Sequence, residues 1–188
     1  MDGRGSSAIS QDVAPAALLA AYDGALAAHG LAPCAKLRTA LAGAAERDVP
    51  LSSLQLRSAG LGAAGARALA KVVARDAALP RVNPLYLNLE DNGLGDEGAT
   101  LLARALLQHP AVFRLDLGYN EITGRGLRAI GELVAGSAAL LCLDLSGNNL
   151  WSRLSMLAPS SMSALAPLGR ALGSPGCKLQ VRASHVYV

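Results

Sequence analysis

Four short segments of this chain repeat one pattern: Leu54-Gln55-Leu56, Leu87-Asn88-Leu89, Leu115-Asp116-Leu117 and Leu143-Asp144-Leu145. In the last three an asparagine follows after two intervening residues, at Asn92, Asn120 and Asn148. The step between these units is 115 − 87 = 28 and 143 − 115 = 28 residues, and the asparagines keep it. Self-similarity at a fixed step of this size constrains the fold more than composition can. Each unit is one supersecondary element that cannot cover its own apolar face, so units must stack and bury a shared core.

Each unit reads as a short strand, a turn and a helix. The triplet alternates as a half-buried strand does. After the turn, Leu61, Leu94, Ile122 and Leu150 correspond, as do Gly65, Gly98 and Gly126. Then come Leu69, Leu102 and Ile130, followed by Val73, Leu106 and Val134, with Leu79, Val112 and Leu140 in the approach to the next strand. Steps of four place these residues along one helix face. Asparagine suits the turn because its amide both donates to and accepts from a curved backbone. Stacked units place the amides in a ladder that satisfies loop groups otherwise buried unpaired. Ala59 stands where the first unit should carry asparagine, which predicts a less well fixed turn there. The first step is longer, 87 − 54 = 33, and its surplus falls at Pro80-Arg81-Val82-Asn83-Pro84, read as a surface loop.

Four regions follow. Residues 1–15, rich in Gly, Ser and Asp, read as a flexible N-terminus. Residues 16–50 form a helical cap over the first unit. Its first helix runs from Ala16 to His29, with Leu18, Leu19, Tyr22 and Leu26 on one side and Gly30 ending it. Its second runs from Pro33 to Glu46 and carries Leu37 and Leu41. Residues 51–150 are the repeats. Residues 151–188 are a degenerate repeat and an irregular tail: Trp151 to Met162 lacks the Gly–Ala helix start, Pro159 and Pro167 interrupt it, and a helix resumes over Leu165 to Leu172. Ser174 to Gln180 looks like the approach to a fifth strand. With Leu179 as the counterpart of Val112 and Leu140, leucine is predicted at 182 and 184, where the chain has Arg182 and Ser184. The frame is therefore expected to end after Gln180. Because Gln-Val-Arg can be encoded across a splice donor, a truncated form of a longer repeat protein is expected. Its bare C-terminal edge would invite self-association, whereas a capped stack would be a monomer.

Apolar residues make up 52% and charged residues 16% of the chain, which excludes a disordered composition. Aromatics are only 3%, so alanine and leucine must fill the core, and small alanines let stacked helices approach closely. The net charge of +3 and pI near 9.0 raise nucleic acid as a partner. Residues 82–150, however, hold eight acids (Glu90, Asp91, Asp96, Glu97, Asp116, Glu121, Glu132, Asp144) against four bases (Arg104, Arg114, Arg125, Arg128), a net −4 that repels phosphate. No nucleic-acid partner is expected. Cys34, Cys142 and Cys177 are too scattered for a disulfide framework or a zinc site and read as reduced thiols of a cytoplasmic protein, with cilium, centrosome and cytoskeleton as further locations. No apolar run is long enough to cross a bilayer, so no membrane association is expected.

The 28-residue step, the L-x-L-x-x-N-x-L core and the following G-A-x-x-L-A together resemble the ribonuclease-inhibitor type of leucine-rich repeat. The run Leu87-Asn88-Leu89-Glu90-Asp91-Asn92-Gly93-Leu94-Gly95-Asp96-Glu97-Gly98-Ala99 carries the match most closely. The resemblance spans about residues 51–150 and implies an α/β solenoid: a short horseshoe arc with parallel strands inside and helices outside. It also implies a non-enzymatic scaffold that binds proteins. Two alternatives come from the same family: an activator of a small GTPase resembling the Ran activator, whose acidic tail is missing here, and a fragment of an innate-immune sensor, suggested only by Cys177 to Gln180.

Catalytic readings are weaker. Gly60-Leu61-Gly62-Ala63-Ala64-Gly65 has the G-x-G-x-x-G spacing of a dinucleotide turn, between a strand and a helix. Gly93 to Gly98 repeats it one unit later, so the repeat turn explains the glycines, and Asp96 and Glu97 would repel a pyrophosphate. His29, His109 and His185 lack metal-ligand spacing. Asp116 and Asp144, on adjacent strands about 5 Å apart, are conceivable as an acid–base pair, but the position faces solvent on the inner arc. No cofactor and no metal are expected.

Strand alternation puts the residues between the leucines on the concave face. The rows are Ser53, Tyr86, Arg114, Cys142; then Gln55, Asn88, Asp116, Asp144; then Arg57, Glu90, Gly118, Ser146. The candidate protein-binding residues are Tyr86, Asn88, Glu90, Arg114, Asp116, Tyr119 and Asp144. Tyr and Arg are the types that anchor interfaces, and the surrounding acids favour a basic partner.

Overall fold

The period-2 triplets become a parallel sheet. The computed structural model describes residues 15–47, 52–75, 85–107, 112–150, 166, 169–170 and 180–183. Helices α1 (Pro15–His29) and α2 (Ala35–Arg47) precede β1 (Ser53–Gln55), α3 (Gly62–Arg75), β2 (Leu85–Asn88), α4 (Gly95–Leu107), β3 (Val112–Asp116), α5 (Gly124–Gly136), β4 (Cys142–Asp144) and β5 (Gln180–Arg182). The strands lie in chain order and every neighbouring pair is parallel. Leu54, Leu87, Leu115 and Leu143 stand in register, and each is buried. Beneath them α3, α4 and α5 pack side by side. Leu61, Leu94 and Ile122, with Leu69, Leu102 and Ile130, complete one continuous core. This is the expected α/β leucine-rich solenoid. The expected terminus, the Pro80–Pro84 loop, and the readings at residues 151–165 and 174–179 lie outside the described residues.

The asparagine ladder forms, and it has a direction. Asn92 Oδ1 accepts from Ala59 N at 3.0 Å and Leu61 N at 3.3 Å, both in the preceding unit. Asn120 Oδ1 likewise accepts from Asn92 N and Leu94 N, and Asn148 Oδ1 from Asn120 N and Ile122 N. Each turn is thus held by the amide of the unit that follows it. This corrects the expectation for unit 1: Ala59 does not loosen its own turn, because the acceptor comes from Asn92. What alanine forfeits is the donor side of the amide. Two other donors stand in for it: Lys36 Nζ of α2 donates to Arg57 O at 2.6 Å and Ser58 O at 3.2 Å, and Asn92 Nδ2 donates to Leu56 O at 2.8 Å. The cap itself is closed by Tyr22, buried with Leu26, Leu37 and Leu41, whose hydroxyl accepts from Cys34 N at 2.8 Å.

The expected end of the frame after Gln180 is also corrected. β5 continues to Arg182, with Val181 paired to Leu143 and Arg182 to Asp144. Leu145 N donates to Arg182 O at 2.8 Å. By this register Val181, and not residue 182, is the counterpart of Leu143. Val181 therefore takes the leucine position, partly buried against the core.

The turns require left-handed backbone. Gly60, Gly62, Gly93 and Gly95 have φ of +56 to +64°, which explains the twice-repeated G-x-G spacing without a nucleotide. Glu121 occupies the place of Gly93 one unit later and has φ 58°. A side chain there costs about 1 kcal/mol. Glu121→Gly is therefore expected to stabilise the protein by about 0.5–1 kcal/mol in urea unfolding. No gain would mean that the glutamate side chain offsets its own strain.

Candidate functional site

Three strands bring five of the seven predicted residues together on the concave face. Tyr86 and Arg114 are register partners, as are Asn88 and Asp116. The guanidinium of Arg114 lies 4.7 Å from the centroid of the Tyr86 ring. Its Nε and one Nη donate to the two oxygens of Asp116, each at 3.2 Å. The Tyr86 hydroxyl donates to Asp116 Oδ2 at 2.5 Å. Asn88 Nδ2 reaches the same hydroxyl at 3.2 Å and Gln55 Oε1 at 3.1 Å. Burial first, and then the hydrogen bond to Asp116, push the Tyr86 phenol above its ordinary pKa, so it remains a donor at neutral pH. The hydrogen bond to Asp116 likewise raises Arg114.

Asp116 does not face solvent as the alternation suggested. It is 7% exposed, because Tyr86 and Arg114 fold over it from their own places on the sheet. A carboxylate receiving three donors at a sheet surface acts as a fixed acceptor that orders the side chains around it. Glu90 is also partnered, 3.2 Å from Arg57. Asp144 neighbours Asp116 in register, and its Oδ1 accepts from Ser146 N at 2.8 Å. Among the described residues no group of His, Cys, Asp and Glu side chains could hold a metal ion.

Tyr119 lies apart from the cluster, on the rim. Its backbone is left-handed, φ 53°, and it is 46% exposed. Gly147 takes the equivalent place in the next unit, and a Cβ there would stand 2.5 Å from the Tyr119 ring. The absent side chain is what lets the ring lie over that turn. Ser58 and Asp91 hold the same rim place in the first two units, also left-handed, and Ser58 Oγ donates to Asp91 at 2.7 Å.

A family model described as Leucine Rich repeat matches residues 85–103 and 114–131. The chain carries leucine-rich repeats. Among curated proteins none matches it. The two matched repeats supply β2 with α4 and β3 with α5, and therefore all of the Tyr86, Asn88, Arg114 and Asp116 cluster. Repeats of this kind are protein-interaction modules.

Two concave residues were missed as candidates. Arg57 was visible in the third row beside Glu90, and its reach was the signal. Arg182 joins the face only because β5 keeps the register, which required reading Val181 as a leucine equivalent. No described helix is long and apolar enough to cross a membrane.

Proposed function

We propose that this leucine-rich repeat chain is a non-enzymatic cytoplasmic scaffold that binds a protein partner on its concave face. The observation that carries the reading is Arg114, stacked on Tyr86 and bound at two points to buried Asp116. Arginine and tyrosine held in this way lose little side-chain entropy on contact, the condition under which they anchor interfaces. Tyr119 adds an exposed ring at the rim. No described residue adds support to the GTPase-activator or immune-sensor readings.

Removing Tyr86 and Arg114 would strand the Asp116 carboxylate, so a binding test belongs elsewhere on the face. A photo-crosslinking residue in place of Tyr119 should give a discrete protein adduct in cells. The same residue in place of Arg104, on the helical face, should not. Adducts from position 104 alone would transfer the binding surface to the helices.

A further inference from the structure

At two ion pairs of the concave face the charge that a partner meets first is positive, although the repeats sum to an acidic net. The acids of these pairs are recessed, the side chain of Asp116 being 10% exposed and that of Glu90 22%, while Asp144 is half-buried and Asp91 stands exposed at the rim. The arginines of the two pairs stand above the recessed acids, Arg114 at 39% and Arg57 at 64%. Arg182, exposed on β5, adds a third, and no ion pair engages it among the described residues. Each recessed carboxylate anchors one part of a guanidinium and leaves other N–H groups free. Arg114 commits Nε and one Nη to Asp116, and Arg57 commits one Nη to Glu90. Guanidinium groups braced from below in this way are pre-organised for a second, planar acceptor above.

Resting on the concave-face reading, we propose that the partner presents carboxylates to Arg57, Arg114 and Arg182. Arg114 and Arg182 sit on β3 and β5, and Arg57 in the turn that follows β1, each in a different row of the face. Four strand spacings of about 4.8 Å separate the first strand from the fifth, about 19 Å across the sheet. An extended acidic segment of six residues, about 20 Å long, crosses it. Nearest-contact charge decides pairing at this range, because exposed charges farther than about 8–10 Å are screened at physiological salt.

The test uses two fluorescein-labelled peptides, hexaglutamate and hexalysine, titrated against the full chain by anisotropy. Hexaglutamate should bind, and Arg57→Gln with Arg182→Gln should weaken it about tenfold or more. Arg104→Gln with Arg125→Gln, the same charge change on the helical face, should leave affinity within about twofold. Both pairs should keep the parent circular-dichroism melt, since none of these side chains is buried. Equal losses from the two pairs would reduce the effect to net charge and overturn the proposal. Hexalysine bound in its place, and weakened by Asp144→Asn, would overturn the carboxylate assignment while leaving the concave face as the binding surface. Hexaglutamate lost only with Arg104 and Arg125 would overturn both readings. Binding of neither peptide would overturn the carboxylate assignment alone.

Discussion

Asn120→Ala should destabilise the fold by about 2–4 kcal/mol, more than any surface change in the molecule, because it strands two buried amides at once. The side chain is fully buried and makes four hydrogen bonds. Its oxygen serves Asn92 N and Leu94 N, and its amide serves Leu89 O and Gly118 O. Leu89 O keeps a second donor in Asn92 Nδ2 and Gly118 O keeps Asp91 N, each at 2.9 Å, so two groups, Asn92 N and Leu94 N, lose their partner outright. Asn120→Asp should be comparably damaging, since it retains the acceptor but buries a charge and loses both donors. Ala59→Asn, by contrast, should change stability by less than about 0.5 kcal/mol, because Lys36 already serves Arg57 O and Asn92 already serves Leu56 O. Urea unfolding of the three variants checks the set. An Asn120→Ala midpoint equal to that of the parent would show that water replaces the ladder without cost.

Asp96→Ala is the second large effect, expected at about 2–3 kcal/mol. Asp96 sits in the first turn of α4 yet caps the neighbouring helix. Oδ1 accepts from Thr123 N at 2.7 Å and Gly126 N at 2.9 Å, and Oδ2 accepts from the Thr123 hydroxyl at 2.6 Å. Two of the otherwise unpaired amides at the start of α5 thus depend on a side chain 27 to 30 residues away. The geometry also fixes Gly126, where a Cβ would stand 2.7 Å from Asp96 Oδ1 and 2.8 Å from Ile122 Cγ2. Gly126→Ala should therefore cost about 1–3 kcal/mol. In the Asp96→Ala background part of that cost should vanish. Strict additivity of the two in a double-mutant cycle would show that they do not share this contact.

The sequence disclosed the solenoid well because its signal is periodic and redundant. Leu87, Leu115 and Leu143 keep one step, and their asparagines confirm it. The direction of the ladder was not legible. Spacing shows that Asn92 and Asn120 are equivalent, but not that each serves the turn before its own. The prediction for Ala59 failed for that reason. β5 was misread by one residue because Cys142 and Gln180, partners in the sheet, are 180 − 142 = 38 residues apart where the two preceding steps are 28. With no leucine at the core position, only the register of the folded sheet reveals Val181 as its substitute. At the candidate site, alternation placed Tyr86, Arg114 and Asp116 on one face. It could not show that two of them would close over the third. That closure depends on side-chain reach between strands, and it sets Arg114 above the carboxylate of Asp116.

The direction of the asparagine ladder bears on the order in which the chain becomes structured during synthesis. A ribosome delivers the N-terminal unit first, and domains fold as they emerge. Yet Ala59 N and Leu61 N receive their acceptor only when Asn92 arrives, and Asn92 N and Leu94 N wait for Asn120. A nascent chain therefore always carries one unfinished turn at its growing end, about one unit behind the newest residues. Helices and strands can assemble behind that point while the turn stays open to water, and each new asparagine that leaves the exit tunnel locks the unit made before it.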